Sequence, residues 1–174
     1  MTGQKNKFKT TEKLWDLDDK QLKSPKHDAM VLWLMDKNNL SNYCPKMFHK
    51  RLASEDILDV IIESEVPIMS SPTFIAGYGD LIIIPTRKYI DRDYNPPKER
   101  IIKDNDFSVL IEVKPYIDSF GAVLRQIKSY EKFWKRNRGK KICLFTLDNR
   151  FDNQFESQDI QVLQIGRASC RERV

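Results

Sequence analysis

Gly77-Tyr78-Gly79-Asp80 runs into the apolar Leu81-Ile82-Ile83-Ile84, and after a charged insertion comes Phe107-Ser108-Val109-Leu110-Ile111-Glu112-Val113-Lys114. Both apolar runs have strand length. In the second, Phe107, Val109, Ile111 and Val113 share one face of a strand, while Ser108, Leu110, Glu112 and Lys114 share the other. One face is wholly apolar and the other becomes charged only at its end. That pattern predicts a core strand delivering Glu112 and Lys114 together at its C-terminal edge. If the run from Asp80 pairs beside it, a second carboxylate joins the same place. A surface salt-bridge cluster would use the same residue types, but a core strand ending in Glu-x-Lys points elsewhere. Two carboxylates make a hard-oxygen site suited to Mg2+ or Mn2+, and an adjacent ammonium can orient or deprotonate a water. This is the minimum equipment for metal-assisted phosphodiester hydrolysis.

Downstream, Asp118 or Ser119 is expected to cap a helix whose Phe120, Val123, Leu124, Ile127 and Trp134 form an apolar stripe. Gln126 and Tyr130, four residues apart, share a face beside that stripe. A surface glutamine with a core-edge tyrosine is the plainer reading of that pair. Its end is basic, with Lys128, Lys132, Lys135, Arg136, Arg138, Lys140 and Lys141 around Trp134. Cations suit a helix C-terminus, and the same set would also suit a phosphate-tracking surface.

Asp80, Glu112-x-Lys114 and Gln126-x-x-x-Tyr130, in that order, resemble the PD-(D/E)XK nuclease superfamily in its RecB-type exonuclease branch, over roughly 24–147. The resemblance implies an α/β fold with a restriction-endonuclease-like core, a central mixed β-sheet flanked by helices. It implies that Asp80 and Glu112 bind Mg2+ or Mn2+ with the backbone carbonyl of Val113, and that Lys114 positions the attacking water. Gln126 and Tyr130 would hold the substrate. That branch also uses a histidine on an early helix, for which His27 is the candidate. In other branches an early glutamate fills this role, which makes Glu63 and Glu65 its rivals. The implied activity is that of a metal-dependent deoxyribonuclease, exonuclease-like, acting on DNA, with RNA also open. Alternatives are a Holliday-junction resolvase, which would be a homodimer, a transposase-type endonuclease subunit, or a non-catalytic nucleic-acid-binding or inhibitory protein of a mobile element.

Elsewhere the chain suggests one domain over 24–164, behind a basic arm, 1–23, that carries Lys5, Lys7 and Lys9. Ser24-Pro25 is a good helix start. The uninterrupted apolar run Ala29 to Met35 predicts a buried helix that stops at Asn38-Asn39. Ser54-Glu55-Asp56 is expected to cap a short helix bearing Ile57, Leu58, Ile61 and Ile62 at helical spacing. Val66-Pro67-Ile68 is then the first strand, and Pro72 and Gly77 punctuate a turn. Gly77 and Gly79 would let backbone approach closely before Asp80. Thr86 to Asp106 reads as a solvated hairpin with its base near the metal site. Lys141 to Leu147 and Asp159 to Leu163 are two more strands.

Hydrophobic content of 40% with 32% charged residues fits a soluble globular protein. The N-terminus lacks an apolar signal region, no run reaches membrane-spanning length, and a cytoplasmic location is expected. The last ten residues, 165–174, are what an in-frame translation of a common short-read sequencing adapter would give, and they are set aside. Without their three arginines and one glutamate the net charge falls from +5 to +3, mildly basic and permissive of a nucleic-acid partner. Cys44 and Cys143 remain. They are too far apart in sequence for a zinc or disulfide pattern and are expected to be reduced and structural.

Overall fold

The alternation along Val109–Lys114 does divide two layers, as a computed structural model of the chain shows. It describes residues 23–41, 43, 47–48, 57–91, 93–134 and 139–164. Residues 1–22 of the expected N-terminal arm, the capping Ser54-Glu55-Asp56, the basic 135–138, Cys44 and the tail 165–174 lie outside these residues, while Lys23, expected in the arm, opens the first helix. The protein is α/β, with a mixed six-stranded sheet flanked by helices. Its elements are α1 (Lys23–Leu34), α2 (Lys37–Ser41), β1 (Ile57–Ser71), β2 (Phe74–Asp91), β3 (Lys98–Lys103), β4 (Val109–Lys114), α3 (Phe120–Trp134), β5 (Lys141–Thr146), α4 (Asp152–Glu156) and β6 (Gln161–Gln164).

The sheet order is β1-β2-β4-β5-β6, with β3 pairing onto β2. β1, β2 and β4 run antiparallel in sequence, whereas β5 lies parallel to β4 and β6 parallel to β5. The parallel step from β4 to β5 needs a crossover, which α3 supplies. Ala122 N–H bonds the Ser119 hydroxyl at 3.4 Å, so Ser119 is the cap that starts this helix.

Two cores result. Val109, Ile111, Val113, Cys143 and Phe145 point to one side of the sheet, where α1 and α2 bring Met30, Leu34 and Leu40. Leu110, Ile142 and Leu144 point to the other, against Val123, Ile127 and Tyr130 of α3 and Phe155 of α4. Both faces of the central strands are thereby covered, as parallel pairing generally requires.

Several expectations are corrected. Residues 57–62 continue β1 rather than forming a helix. Ile57, Leu58, Ile61 and Ile62 also fit an extended strand, and pairing along β2 from Arg87 to Phe74 decides between the two. The turn falls at Pro72-Thr73, and Gly77 sits inside β2. The run Ala29–Met35 is not buried all round: Leu32 is 58% exposed, and the helix ends at Leu34, so that Asn38 and Asn39 belong to α2. The charged insertion does form an exposed hairpin, Thr86–Asp91 against Lys98–Lys103. Its base is remote from the expected site, because Thr86 lies six positions up β2 from Asp80, about 20 Å at strand rise.

Candidate active site

Strand β2 pairs with β4 only through Leu81–Ile83, opposite Ile111–Val109. Just past that pairing the ribbon changes which face it presents. Leu81 and Ile83 pack with the α1 core, but a Cβ on Gly79 would lie 2.3 Å from Leu110 Cδ1, and one on Gly77 2.8 Å from Tyr130 Cε1, on the α3 side. The switch falls at Asp80, and across the ribbon Glu65 has φ 53°, a left-handed backbone uncommon for glutamate. The two glycines therefore have the close-approach role expected of them.

Asp80 emerges at this kink and its Oδ2 accepts the Val113 N–H at 2.7 Å, where a backbone acceptor of β2 would otherwise sit. In an antiparallel strand a residue's N–H and C=O face the same side, so the Val113 carbonyl also faces the Asp80 edge. His27 approaches from α1. Its Nε2 lies 3.1 Å from Asp80 Oδ1 and its Nδ1 3.1 Å from Asp28 Oδ1. The hydrogen bond to Asp80 raises the imidazole to about 9 against its partial burial. At neutral pH His27 is thus an imidazolium that neutralises Asp80, and it could ligate a metal only after losing that proton. Neither rival glutamate is placed this way: Glu63 pairs with Lys103 at 2.8 Å on the exposed sheet edge, and Glu65 is exposed at the kink.

Glu112 comes from the α3 face and is 1% exposed. Its Oε1 is held by Lys114 Nζ at 2.5 Å and by Gln126 Nε2 at 2.7 Å, while its buried Oε2 has no hydrogen-bond partner. Burial pushes this carboxyl up to about 7, with the Asp80 charge adding to the shift and Lys114 opposing it. A buried carboxylate with one vacant oxygen is costly unless something pairs with it. A divalent cation would supply that partner. Among the described residues, however, no three His, Cys, Asp or Glu side chains form a ready-made metal cage. The groups here that could hold an ion are Asp80, Glu112 and the Val113 carbonyl.

Gln126 and Tyr130 stand behind Glu112 rather than in the open. Gln126 Nε2 donates to both Glu112 Oε1 and the Tyr130 hydroxyl, at 2.7 and 2.9 Å, and Tyr130 donates to the Tyr78 carbonyl at 3.0 Å. Burial raises the Tyr130 phenol above its usual range, so it acts as a neutral donor. The pair ties α3 to both strands that carry carboxylates. The basic end of α3 is spent differently: Lys128 pairs with Glu131 and Lys140 lies over the Trp134 ring at 4.5 Å.

The structure adds groups that strand periodicity did not single out. Tyr116, in the turn after β4, accepts from Lys26 Nζ at 2.8 Å, and Lys26 is itself buried beside His27 on α1. Asp148, after β5, accepts from Ile117 N–H at 3.1 Å and from Arg150 Nη2 at 2.6 Å, fixing the same turn from the other side. Lys26 adjoins His27 in sequence, but nothing in a lone lysine signals a partner ninety positions away. Among the described residues no helix is long and apolar enough to cross a membrane. No family model, curated protein or solved structure matches this chain.

Proposed function

We propose that this protein is a metal-dependent deoxyribonuclease with a restriction-endonuclease-like core, Asp80 and Glu112 holding Mg2+ or Mn2+ with the Val113 carbonyl. The observation that carries the reading is Glu112: a buried carboxylate with one unpartnered oxygen, beside an ammonium and near a second carboxylate. A purely structural ion pair would not leave that oxygen bare in a closed interior. Three antiparallel strands, a crossover helix and a parallel strand also support the core assignment.

A bound divalent ion would supply Lewis acidity toward a phosphoryl oxygen and a water of lowered pKa. The chain's own residues do the rest. Gln126 fixes the rotation of the Glu112 carboxylate, and Tyr130 fixes Gln126 against β2. Lys114 has no free electron pair while protonated and cannot be a ligand. Its ammonium orients the attacking water and offsets negative charge as it develops on the phosphoryl group. His27 Nε2, 3.1 Å from Asp80 Oδ1, holds that carboxylate in place from α1.

The test is cleavage of labelled linear and covalently closed DNA in Mn2+, with Mn2+ affinity measured by calorimetry on the same preparations. Lys114→Met is expected to keep Mn2+ binding and to cut on the order of 10²–10³ more slowly in a single turnover. Asp80→Asn should lose both. Degradation of linear DNA with closed circles intact fits the exonuclease-like reading, and nicking of circles at a similar rate fits an endonuclease. Lys114→Met cleaving as fast as the parent would remove the mechanism.

A further inference from the structure

Past Asp80 the β1–β2 ribbon stands alone, because β2 meets β4 only through Leu81–Ile83. Its two faces differ. Ile68, Gly77 and Gly79 lie toward α3: Ile68 belongs to the core of Val123, Ile127 and Tyr130, and the glycines abut Tyr130 and Leu110. Directly opposed residues of an antiparallel pair share a face, and neighbours along a strand alternate. The pairs Pro67–Tyr78 and Met69–Ile75 therefore share the other face, away from α3. All four are exposed, Tyr78 by 57%, and Phe74 at the tip is 64% exposed. An apolar cluster left open on one side of a ribbon whose other side is packed marks a contact surface.

The chain's own N-terminal segment fits this face. Residues 1–22 join α1 at Lys23, and one helical turn on, His27 Nε2 lies 3.1 Å from Asp80 Oδ1. Asp80 is two residues from Tyr78, so the segment is tethered at the base of the open face. Its apolar residues gather as Leu14, Trp15 and Leu17, between Lys13 and Asp18-Asp19. The stretch from Leu17 to Lys23 can span up to about 20 Å, which is also roughly the length from Asp80 to Phe74 at strand rise. A second copy fits less well. A stable dimer engages about 20–30 residues a side, and a separate molecule must first lose its freedom. A tethered segment meets the same few side chains intramolecularly. We propose that residues 12–22 dock on this face, with Leu14, Trp15 and Leu17 covering Pro67, Met69, Ile75 and Tyr78. They would do so whether or not the site cuts DNA.

Hydrogen exchange of the full chain, read by mass spectrometry, tests this. Amides 12–20 should exchange about ten- to a hundred-fold more slowly than in a synthetic peptide of residues 1–22. Met69→Ser combined with Ile75→Ser changes two side chains that are already exposed. It should bring these amides to the peptide rate while β4 keeps its protection. Trp15→Ser should do the same from the other side of the contact, and should also speed peroxide oxidation of Met69 several-fold. Leu32→Ser, at an exposed position of α1, should change neither readout. Parent amides 12–20 that exchange at the peptide rate overturn the proposal. So does protection that survives either the double variant or Trp15→Ser, since the segment then docks elsewhere. Protection that appears only as concentration rises, with a dimer in sedimentation, gives the face to a second copy and also overturns it. Should the double variant unfold, lost protection in β4 reveals it, and Trp15→Ser with Tyr78→Ser decides instead.

Discussion

Glu112→Gln should make this protein more stable at pH 8, although most substitutions of buried residues destabilise. The carboxyl of Glu112 is raised from 4.5 to about 7, chiefly by burial. A raised acid binds its proton more tightly in the folded chain, so this group's contribution is full below pH 4.5, declines between 4.5 and 7, and is lost above. The shift corresponds to a loss on the order of 3 kcal/mol by pH 8. Glutamine keeps the volume and an oxygen for Gln126, and it cannot ionise. Lys114 loses its nearest anion, but that side chain is partly exposed and can turn to water. The variant should match the parent near pH 5 and exceed it at pH 8 by about 1–3 kcal/mol, upward of about 3 °C in Tm. Urea unfolding at both pH values in EDTA measures this. A divalent ion should then favour the parent selectively, by about 2.7 kcal/mol at a hundred times its Kd. A variant less stable than the parent at pH 8, with the same pH slope, would refute the reasoning.

Other outcomes follow from single contacts. Asp148 is held down to about 2 by the Arg150 guanidinium and by backbone N–H donors, so its stabilisation is present above pH 3.8 and lost as pH falls toward 2. Asp148→Asn should cost on the order of 2 kcal/mol at pH 7 and flatten the acid limb of a stability–pH curve. Gly79→Ala would press a methyl against the fully buried Leu110 and should cost about 1–3 kcal/mol; a double-mutant cycle with Leu110→Ala should recover part of it. Tyr130→Phe removes the hydroxyl between Gln126 and the Tyr78 carbonyl and should cost about 1–2 kcal/mol by denaturant unfolding. In a cleavage assay it should slow turnover without changing Mn2+ affinity, since it touches neither donor oxygen.

The amino-acid sequence determined the central strands and the order of the site residues. Alternation along 107–114 assigned Val109, Ile111 and Val113 to one core and Leu110 with Glu112 to the other, because side-chain period in a strand is fixed by the backbone. The stripe of α3 was legible for the same reason at period 3.6. Residues 57–62 were not, since a short apolar run suits helix and strand alike until a partner strand takes its hydrogen bonds. Nor could local pattern reveal the kink at Glu65 and Asp80, which arises where β2 parts from β4 and must pass Leu110 and Tyr130. Tertiary structure alone decided that Asp80 takes the Val113 N–H and meets His27, while Glu112 is buried with one oxygen unpaired. Those facts depend on distances between segments remote in sequence, and burial from several sides at once is a property no single segment carries.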